Sequence, residues 1–207
     1  LYGLMLESGN DAALLLAQAL GGSTDEFVSL MNEKAASLGM TGTHFVNPSG
    51  AYKRDQYSTA RDMAVLTCYA LKNETFREIV STVRYTIEPD NVRKRALEMV
   101  NSNKLISDPA DSRLFYQYAT GVKTGSTAQG GKCLVAAASK DGAGVVAVLL
   151  GVLEGGSKLE RMSRVYEDAI TIMDLAFTQF VTLSPADLGL DEKVTLPVSG
   201  DPADTVS

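Results

Sequence analysis

The stretch GVKTGSTAQGGKCLVAAASKDGAGVVAVLLGV, residues 121–152, decides the fold. Two runs of small and β-branched residues, 132–139 and 144–152, flank the turn sequence KDGA at 140–143. Runs of this length around a glycine-containing turn predict an antiparallel hairpin with both arms buried. Helical patterns stand on either side of the hairpin in the sequence. Together they predict an α+β domain in which an antiparallel sheet packs against helices.

Three helical segments are recognised by their apolar residues. Residues 1–6 are typical of the middle of a buried helix, and the Ala- and Leu-rich run 11–20, which stops at two glycines, predicts a second buried helix. A long helix is predicted over 157–180. Its expected apolar stripe consists of Met162, Val165, Ala169, Ile172, Met173, Ala176 and Phe180.

Capping residues mark two more helices. Ser23 and Glu26 have capping-box spacing at the start of an amphipathic helix that ends at a glycine. The polar connection 41–57 is expected to form turns. Ser58 or Thr59 then caps a helix that runs to about position 71. The mixed pattern over 76–103 predicts a short helix and a strand at 83–87.

Composition and charge limit the classes of function. The 207 residues are 45% hydrophobic, enough for one sizeable domain. The net charge is −6, from 25 acidic and 19 basic residues without a basic block, so nucleic acid is not an expected partner. The longest strongly apolar run, 145–153, is shorter than the roughly 20 residues of a membrane-spanning helix. No transmembrane segment is expected in this chain.

The two cysteines and the tail carry weaker signals. Cys68 and Cys133 lie on apolar segments without metal-ligand spacing. We predict buried free thiols, with a disulfide as the alternative. The sequence changes character near Thr182, where prolines become frequent. We therefore divide the chain into a domain over 1–181 and a segment over 182–207, which is a linker or the first strand of a truncated β domain.

Two short motifs could carry chemistry: SGN at 8–10, at the start of a helix, and KTG at 123–125, at the start of the buried hairpin. Each one alone has a structural interpretation. Ser8 or Asn10 could cap the helix, and Gly125 could open a turn into the strand. Their order in the sequence favours a functional interpretation, because S-x-N followed by K-T-G is the order found in penicillin-recognising serine enzymes.

Longer segments strengthen this match. The sequence resembles the D-alanyl-D-alanine carboxypeptidases, which are low-molecular-mass penicillin-binding proteins, over roughly residues 1–180. The resemblance implies a DD-peptidase/β-lactamase-like α+β fold. The matching segments are LYGLMLESGNDAA at 1–13, THFVNPSG at 43–50, YSTARD at 57–62, NSNKL at 101–105 and GVKTGST at 121–127.

The resemblance implies catalytic roles for three residues. Ser8 would relay a proton to the leaving D-alanine, which requires a hydroxyl that donates and accepts. Asn10 would hold the substrate's peptide side chain through its amide. Lys123 would order Ser8 and attract the substrate's C-terminal carboxylate.

It also implies a row of substrate-binding residues. The Thr124 hydroxyl would contact the carboxylate, Gly125 would let the substrate lie along the strand, and the backbone N–H of Ser126 would form half of an oxyanion hole. A late arginine, Arg161 or Arg164, would assist the carboxylate. The substrate-binding set is Thr124, Gly125, Ser126 and Thr127.

The family's nucleophile motif, S-x-x-K, does not occur in this sequence, because no serine has a lysine three residues later. In the family it lies upstream of S-x-N. We therefore expect that the N-terminal part of the domain is missing here and that these 207 residues alone do not turn over substrate. His44 is the single histidine, and without a G-x-S-x-G elbow we interpret it as a structural loop residue.

The resemblance implies partners and a location as well. The expected ligands are peptidoglycan stem peptides ending in D-Ala-D-Ala and β-lactam antibiotics, with no metal or organic cofactor. The complete protein would act outside the cytoplasm, with a membrane anchor possible beyond this chain. Two alternatives remain open: a non-catalytic peptidoglycan-binding domain, and a class A-like β-lactamase, which SGN fits less well. Arg61-Asp62 is interpreted as a surface pair or a buried brace, and Asn103-Lys104 as a brace at the rim of the site.

Overall fold

The structure is a computed structural model that describes residues 1–110, 112–152, 158–180, 196–197 and 205–206, with side chains outside 158–162, 196–197 and 205–206. Six α-helices are present in the described ranges. They are α1 (Tyr2–Met5), α2 (Asn10–Gly21), α3 (Thr24–Ser37), α4 (Ala60–Ala70), α5 (Glu74–Ser81) and α6 (Lys158–Gln179), with a 3-10 turn at Lys104–Ile106 between α5 and α6.

The described strands form three antiparallel sheets. They are β1 (Arg84–Ile87), β2 (Leu97–Val100), β3 (Ala119–Thr127), β4 (Gly131–Lys140), β5 (Ala143–Val152), β6 (Leu196–Pro197) and β7 (Thr205–Val206). The largest sheet has the order β3-β4-β5, β1 pairs with β2, and β6 pairs with β7. The predicted hairpin is therefore confirmed as β4 and β5.

The turn between β4 and β5 fixes their register. Lys140 pairs with Ala143, which leaves only Asp141 and Gly142 in the loop. Both loop residues have positive φ, 50° and 81°. Two consecutive left-handed residues match the right-handed twist of the flanking strands, and an Asp-Gly pair adopts this conformation at little cost. The sequence of this turn therefore determines which residues of β4 and β5 face each other.

Strand β4 is the centre of the core because helices cover both of its faces. Leu134 and Ala136 pack against α6 residues that include Ala169 and Met173. On the opposite face, β4 packs against Val80 of α5. The expectation that both arms of the hairpin are buried is confirmed for β4. It is wrong for β5, an edge strand within the described residues.

The faces of the helices were predicted less well than their positions. Helix α2 is not a buried helix, since Leu15 is 71% exposed and only two of its alanines are buried. The buried helix predicted over 1–6 is a single turn, α1, without buried residues, and Leu6 directly after it is fully buried. Ile172 of α6 and Phe180, directly after the helix, are exposed, contrary to the predicted stripe. An Ala/Leu pattern shows that a helix forms, but not which side meets a partner.

The predicted caps and braces are confirmed around α3 and α4. The Ser23 side chain accepts from the Glu26 amide, and the Thr59 side chain accepts from the Asp62 amide. Asp62 is buried, and its Oδ2 accepts from Gly42 N at 2.8 Å and from Thr43 Oγ1 at 2.7 Å. This carboxylate therefore fixes the start of the 41–57 connection on α4.

The cysteine prediction is partly wrong. Both thiols are free, as expected, but Cys68 is exposed and Cys133 is only half-buried. Cys68 lies on α4, and Cys133 lies near the start of β4. Apolar neighbours in the sequence did not reveal that these two positions face outward.

The division of the chain at 181/182 stays a prediction. Within the segment 182–207, the backbone of Leu196–Pro197 pairs with that of Thr205–Val206. None of the described helices has the length and apolar character needed to span a bilayer.

Replacing Asp62 by alanine is expected to lower the free energy of unfolding by about 2–3 kcal/mol. The reason is that two donors lose a charged, buried acceptor. Urea denaturation followed by circular dichroism measures the change. The matched control is Arg61→Ala at the exposed neighbouring position, where we expect a change within about 0.5 kcal/mol. Equal effects of the two substitutions would contradict the brace.

Candidate functional site

The SGN motif forms a tight turn between α1 and α2. Ser8 has a φ of 56°, in the left-handed region. Gly9 is the N-cap of α2, and a Cβ there would lie 2.9 Å from Asp11 Oδ1 and 3.2 Å from the carbonyl oxygen of Gly3. The cap makes no side-chain hydrogen bond. The helix-cap interpretation of Ser8 and Asn10 is therefore wrong, and both side chains stay available to the neighbouring groove.

Lys123 joins this turn to strand β3. Its ammonium donates to the Ser8 hydroxyl and, at 3.1 Å, to the carbonyl oxygen of Thr124. Ser8 and Lys123 are 115 residues apart in the sequence. The structure thus brings SGN and KTG together in the way that their order in the sequence suggested.

The environment of Lys123 changes its acid–base behaviour. The side chain is half-buried, and burial lowers the pKa of its ammonium from the usual 10.5 because it disfavours the charged form. A lysine with a lowered pKa can exchange a proton with a neighbouring hydroxyl more readily than an exposed lysine can. Proton transfer through Ser8 is therefore chemically reasonable at this site.

Strand β3 presents hydroxyls on one face and Lys123 on the other. The Thr124 and Ser102 hydroxyls lie 2.6 Å apart, and Lys132 Nζ donates to Ser126 Oγ at 2.7 Å. Gly125 is exposed, and a Cβ there would make only an ordinary 3.4 Å contact with Cys133. Packing within the protein therefore does not require a glycine at this position. The missing side chain of Gly125 leaves the outer surface of β3 open.

These residues line a groove of about 760 Å³. One wall is the loop 49–52 and the other is formed by the start of β4, while α6 contributes Val165 and Tyr166. All seven predicted site residues line this groove: Ser8, Asn10, Lys123, Thr124, Gly125, Ser126 and Thr127. The structure places them together, and their roles stay predictions.

The wall at 49–52 is held by side chains of its own loop. Asn47 Oδ1 accepts from the amides of Ser49 at 3.2 Å and Gly50 at 2.8 Å. Gln56 Oε1 accepts from the amides of Val46 at 3.0 Å and Asn47 at 3.1 Å. The predicted turns in this connection are thereby confirmed, and they present Tyr52, which is 54% exposed, to the groove.

Ser102 is a groove residue to which sequence reasoning assigned no role. Besides its contact with Thr124, its amide donates to the carbonyl oxygen of Leu6 at 3.2 Å, and its own carbonyl accepts from the Tyr166 hydroxyl at 3.2 Å. Burial raises the pKa of that tyrosine, so its hydroxyl remains a donor at neutral pH. Ser102 therefore links the SGN turn, β3 and α6.

Two buried asparagines hold Ser102 in place. Asn101 Nδ2 donates to the carbonyl oxygen of Thr82 at 3.0 Å, and its Oδ1 accepts from the Asn103 amide at 3.0 Å. Asn103 is fully buried and caps the following 3-10 turn. The predicted bracing role is confirmed for Asn103. The only signal in the sequence that pointed to Ser102 was its position inside the NSNKL segment.

Two other residues considered in the sequence lie outside the groove. His44 pairs with Tyr57 through its backbone and is exposed, in agreement with a structural loop role. Arg164 lies 3.8 Å from Asp168 in an exposed ion pair and does not line the groove. The side chain of Arg161 is outside the described residues.

Comparison with known proteins agrees with this geometry. The family described as D-alanyl-D-alanine carboxypeptidase matches residues 1–154. The chain belongs to this serine peptidase family.

Individual relatives cover most of the chain. It is 35% identical over 182 residues, 88% of its length, to the D-alanyl-D-alanine carboxypeptidase DacF of Bacillus subtilis. The crystal structure of a Streptomyces DD-transpeptidase matches with a TM-score of 0.73 at 35% identity, covering 86% of this chain and 66% of that one. A D-alanyl-D-alanine carboxypeptidase of Mycobacterium tuberculosis matches with a TM-score of 0.71 at 34% identity, covering 86% and 63%. The expected DD-peptidase-like α+β fold is confirmed.

The chain spans only part of these relatives. It covers 43% of the length of the Bacillus subtilis protein. The activity of the complete protein is therefore a matter for proposal, as are its substrates and partners.

The Lys123 ammonium is expected to titrate below 10.5, because its burial disfavours the charge. Carbon NMR of lysine labelled at Cε, recorded over a pH series, measures this pKa. The Lys123→Ala variant identifies the signal by its disappearance. A Lys123 signal that titrates at or above 10.5 would show that the ammonium is not desolvated in the folded protein.

Proposed function

We propose that the complete protein containing this chain is a serine-type D-alanyl-D-alanine carboxypeptidase that removes the terminal D-alanine of peptidoglycan pentapeptides. The observation that carries the proposal is the contact between Lys123 and Ser8 at one side of a groove that exposes the edge of β3. This contact brings together the SGN and KTG motifs, and the chain that carries them belongs to the D-alanyl-D-alanine carboxypeptidase family.

In the proposed reaction the nucleophile is a serine of an S-x-x-K motif in the part of the protein outside this chain. Its oxygen forms a bond to the carbonyl carbon between the two D-alanines, and the motif's lysine takes the proton. The bond to the leaving nitrogen then breaks. Ser8 donates its proton to that nitrogen and recovers one from Lys123, with which it is in contact. Water subsequently hydrolyses the acyl-enzyme.

The other groove residues bind and orient the peptide. Asn10 holds its amide groups, and the exposed edge of β3 at Gly125 pairs with its backbone as an added strand. The backbone N–H of Ser126 stabilises the oxyanion together with that of the nucleophile. Thr124 contacts the carboxylate, and Thr127 borders the peptide further along the strand.

The proposal extends to location and domain organisation. The substrate is a component of the bacterial cell wall, so we propose that the complete protein is exported and works outside the cytoplasm in cell-wall synthesis and cell shape. A β-lactam should acylate the same serine, because it mimics the acyl-D-Ala-D-Ala group. We retain the proposed division into the catalytic domain over 1–181 and a linker or truncated β domain over 182–207.

Incubation of the complete protein with benzylpenicillin is expected to give a stable one-to-one covalent adduct, located on a serine outside this chain. Intact-mass spectrometry followed by peptide mapping measures the adduct and its position. Folded complete protein that forms no adduct and releases no D-alanine would refute the proposal and would favour a non-catalytic peptidoglycan-binding domain.

The Ser8→Ala variant of the complete protein should release D-alanine about 10²–10⁴-fold more slowly, because the leaving nitrogen loses its positioned proton donor. D-alanine release from a D-Ala-D-Ala peptide measures the rate. Ser29→Ala is the matched control, since Ser29 is exposed on α3 and lies outside the groove. A rate for Ser8→Ala within twofold of this control would rule out the proton relay.

A further inference from the structure

Lys132 belongs to the same face of the sheet as the hydroxyls of β3. It pairs with Ser126 across the β3-β4 ladder, and Thr124 pairs with Leu134 in the same register. Residues that pair directly across a ladder, and residues two apart on a strand, share a face. Because Leu134 packs with α6, Lys132 and the two hydroxyls lie on the α6 face of the groove.

The opposite face carries the other lysine of the groove. Lys123 pairs with Val135, which belongs to the cluster around Val80 of α5. Its ammonium already donates to the Ser8 hydroxyl and to a backbone carbonyl. The two cations of the groove therefore lie on different sides of β3, and they have different partners.

Lys132 has no acidic partner among the residues that the structure describes. Within them its ammonium forms a hydrogen bond to Ser126 Oγ at 2.7 Å and no ion pair. The described lining of the groove includes two lysines and neither an aspartate nor a glutamate, although the chain as a whole has a net charge of −6. The described lining is therefore positively charged, and no acidic residue within it neutralises this charge.

The donors on the α6 face fit an anion of one chemical class. Ser126 Oγ accepts from Lys132, so its own hydrogen can point to a ligand, and the Thr124 hydroxyl is two residues away on the same strand face. An ammonium with two nearby hydroxyls suits a carboxylate, which accepts several hydrogen bonds at once. Arg164 was one of two arginines expected to assist the carboxylate, and it is the one whose side chain is described. It pairs with Asp168 outside the groove.

We infer that Lys132, together with the hydroxyls of Ser126 and Thr124, binds the C-terminal carboxylate of the peptide in the groove. This inference rests on the proposed function. It makes Lys132 a specificity residue: it selects peptides with a free C-terminal carboxylate over peptides in which that group is neutral. Lys123 is left to act on Ser8.

The test compares two N-terminally blocked peptides with uncharged side chains that end in D-Ala-D-Ala, one with a free C-terminal carboxylate and one as its methyl ester. Both are titrated into the complete protein by calorimetry, and D-alanine or D-alanine methyl ester release is measured on the same samples. The variants are Lys132→Gln, Lys132→Arg and, as matched control, Lys140→Gln. Lys140 lies at the other end of β4, over the Tyr118 ring.

We expect Lys132→Gln to reduce the preference for the free carboxylate roughly 10-fold or more, about the effect of one charge-assisted hydrogen bond. The loss should appear in Kd and KM rather than in kcat, and affinity for the ester should not change. Lys132→Arg should recover most of the preference, and Lys140→Gln should keep it. Thermal melting confirms that each variant is folded.

Two results would overturn the inference: an unchanged preference in Lys132→Gln, or equal losses for carboxylate and ester. The proposed function fails separately. If the unmodified protein releases no product but its carboxylate preference still depends on Lys132, the activity is refuted and the carboxylate site is supported. If the unmodified protein is active and Lys132→Gln keeps the preference, the proposed activity is supported and the carboxylate site at Lys132 is refuted.

Discussion

The contact between the Lys123 ammonium and the Ser8 hydroxyl is the interaction on which the site depends. It connects the turn between α1 and α2 with the central part of β3 across 115 residues of sequence. Ser8 occupies the left-handed region and does not cap α2, while Lys123 is half-buried with a lowered pKa. Both features are unfavourable in isolation, and such features concentrate at functional sites.

The fold was largely predictable because local chemistry specifies most of its elements. The hairpin follows from two β-branched runs and a turn whose Asp141-Gly142 pair takes positive φ readily. The caps at Ser23 and Thr59 follow from side chains that satisfy free amides. What failed was the choice of buried face, as the exposed Leu15 and Ile172 show. Burial depends on the packing partner, and the pattern along one helix does not contain that information.

The site residues also fall into those that the sequence predicted and those that it did not. The order of the SGN and KTG motifs, together with the family resemblance, identified Ser8 and Lys123. It could not identify Lys132 or Ser102, whose positions in the groove depend on strand register and on contacts between distant elements. A lone lysine between glycine and cysteine gives no signal in the sequence. Its importance appears only when the β3-β4 ladder places it beside Ser126.

The loop that forms the wall at 49–52 has a consequence for the speed and strength of recognition. Asn47 and Gln56 hold its amides in the free protein, so the wall already has its shape when a ligand arrives. An ordered wall loses little conformational entropy on binding, whereas a loop that must first be fixed costs about 1–2 kcal/mol for each residue that becomes ordered. The groove can therefore act as a rigid template, and ligands enter and leave it without waiting for the loop to rearrange.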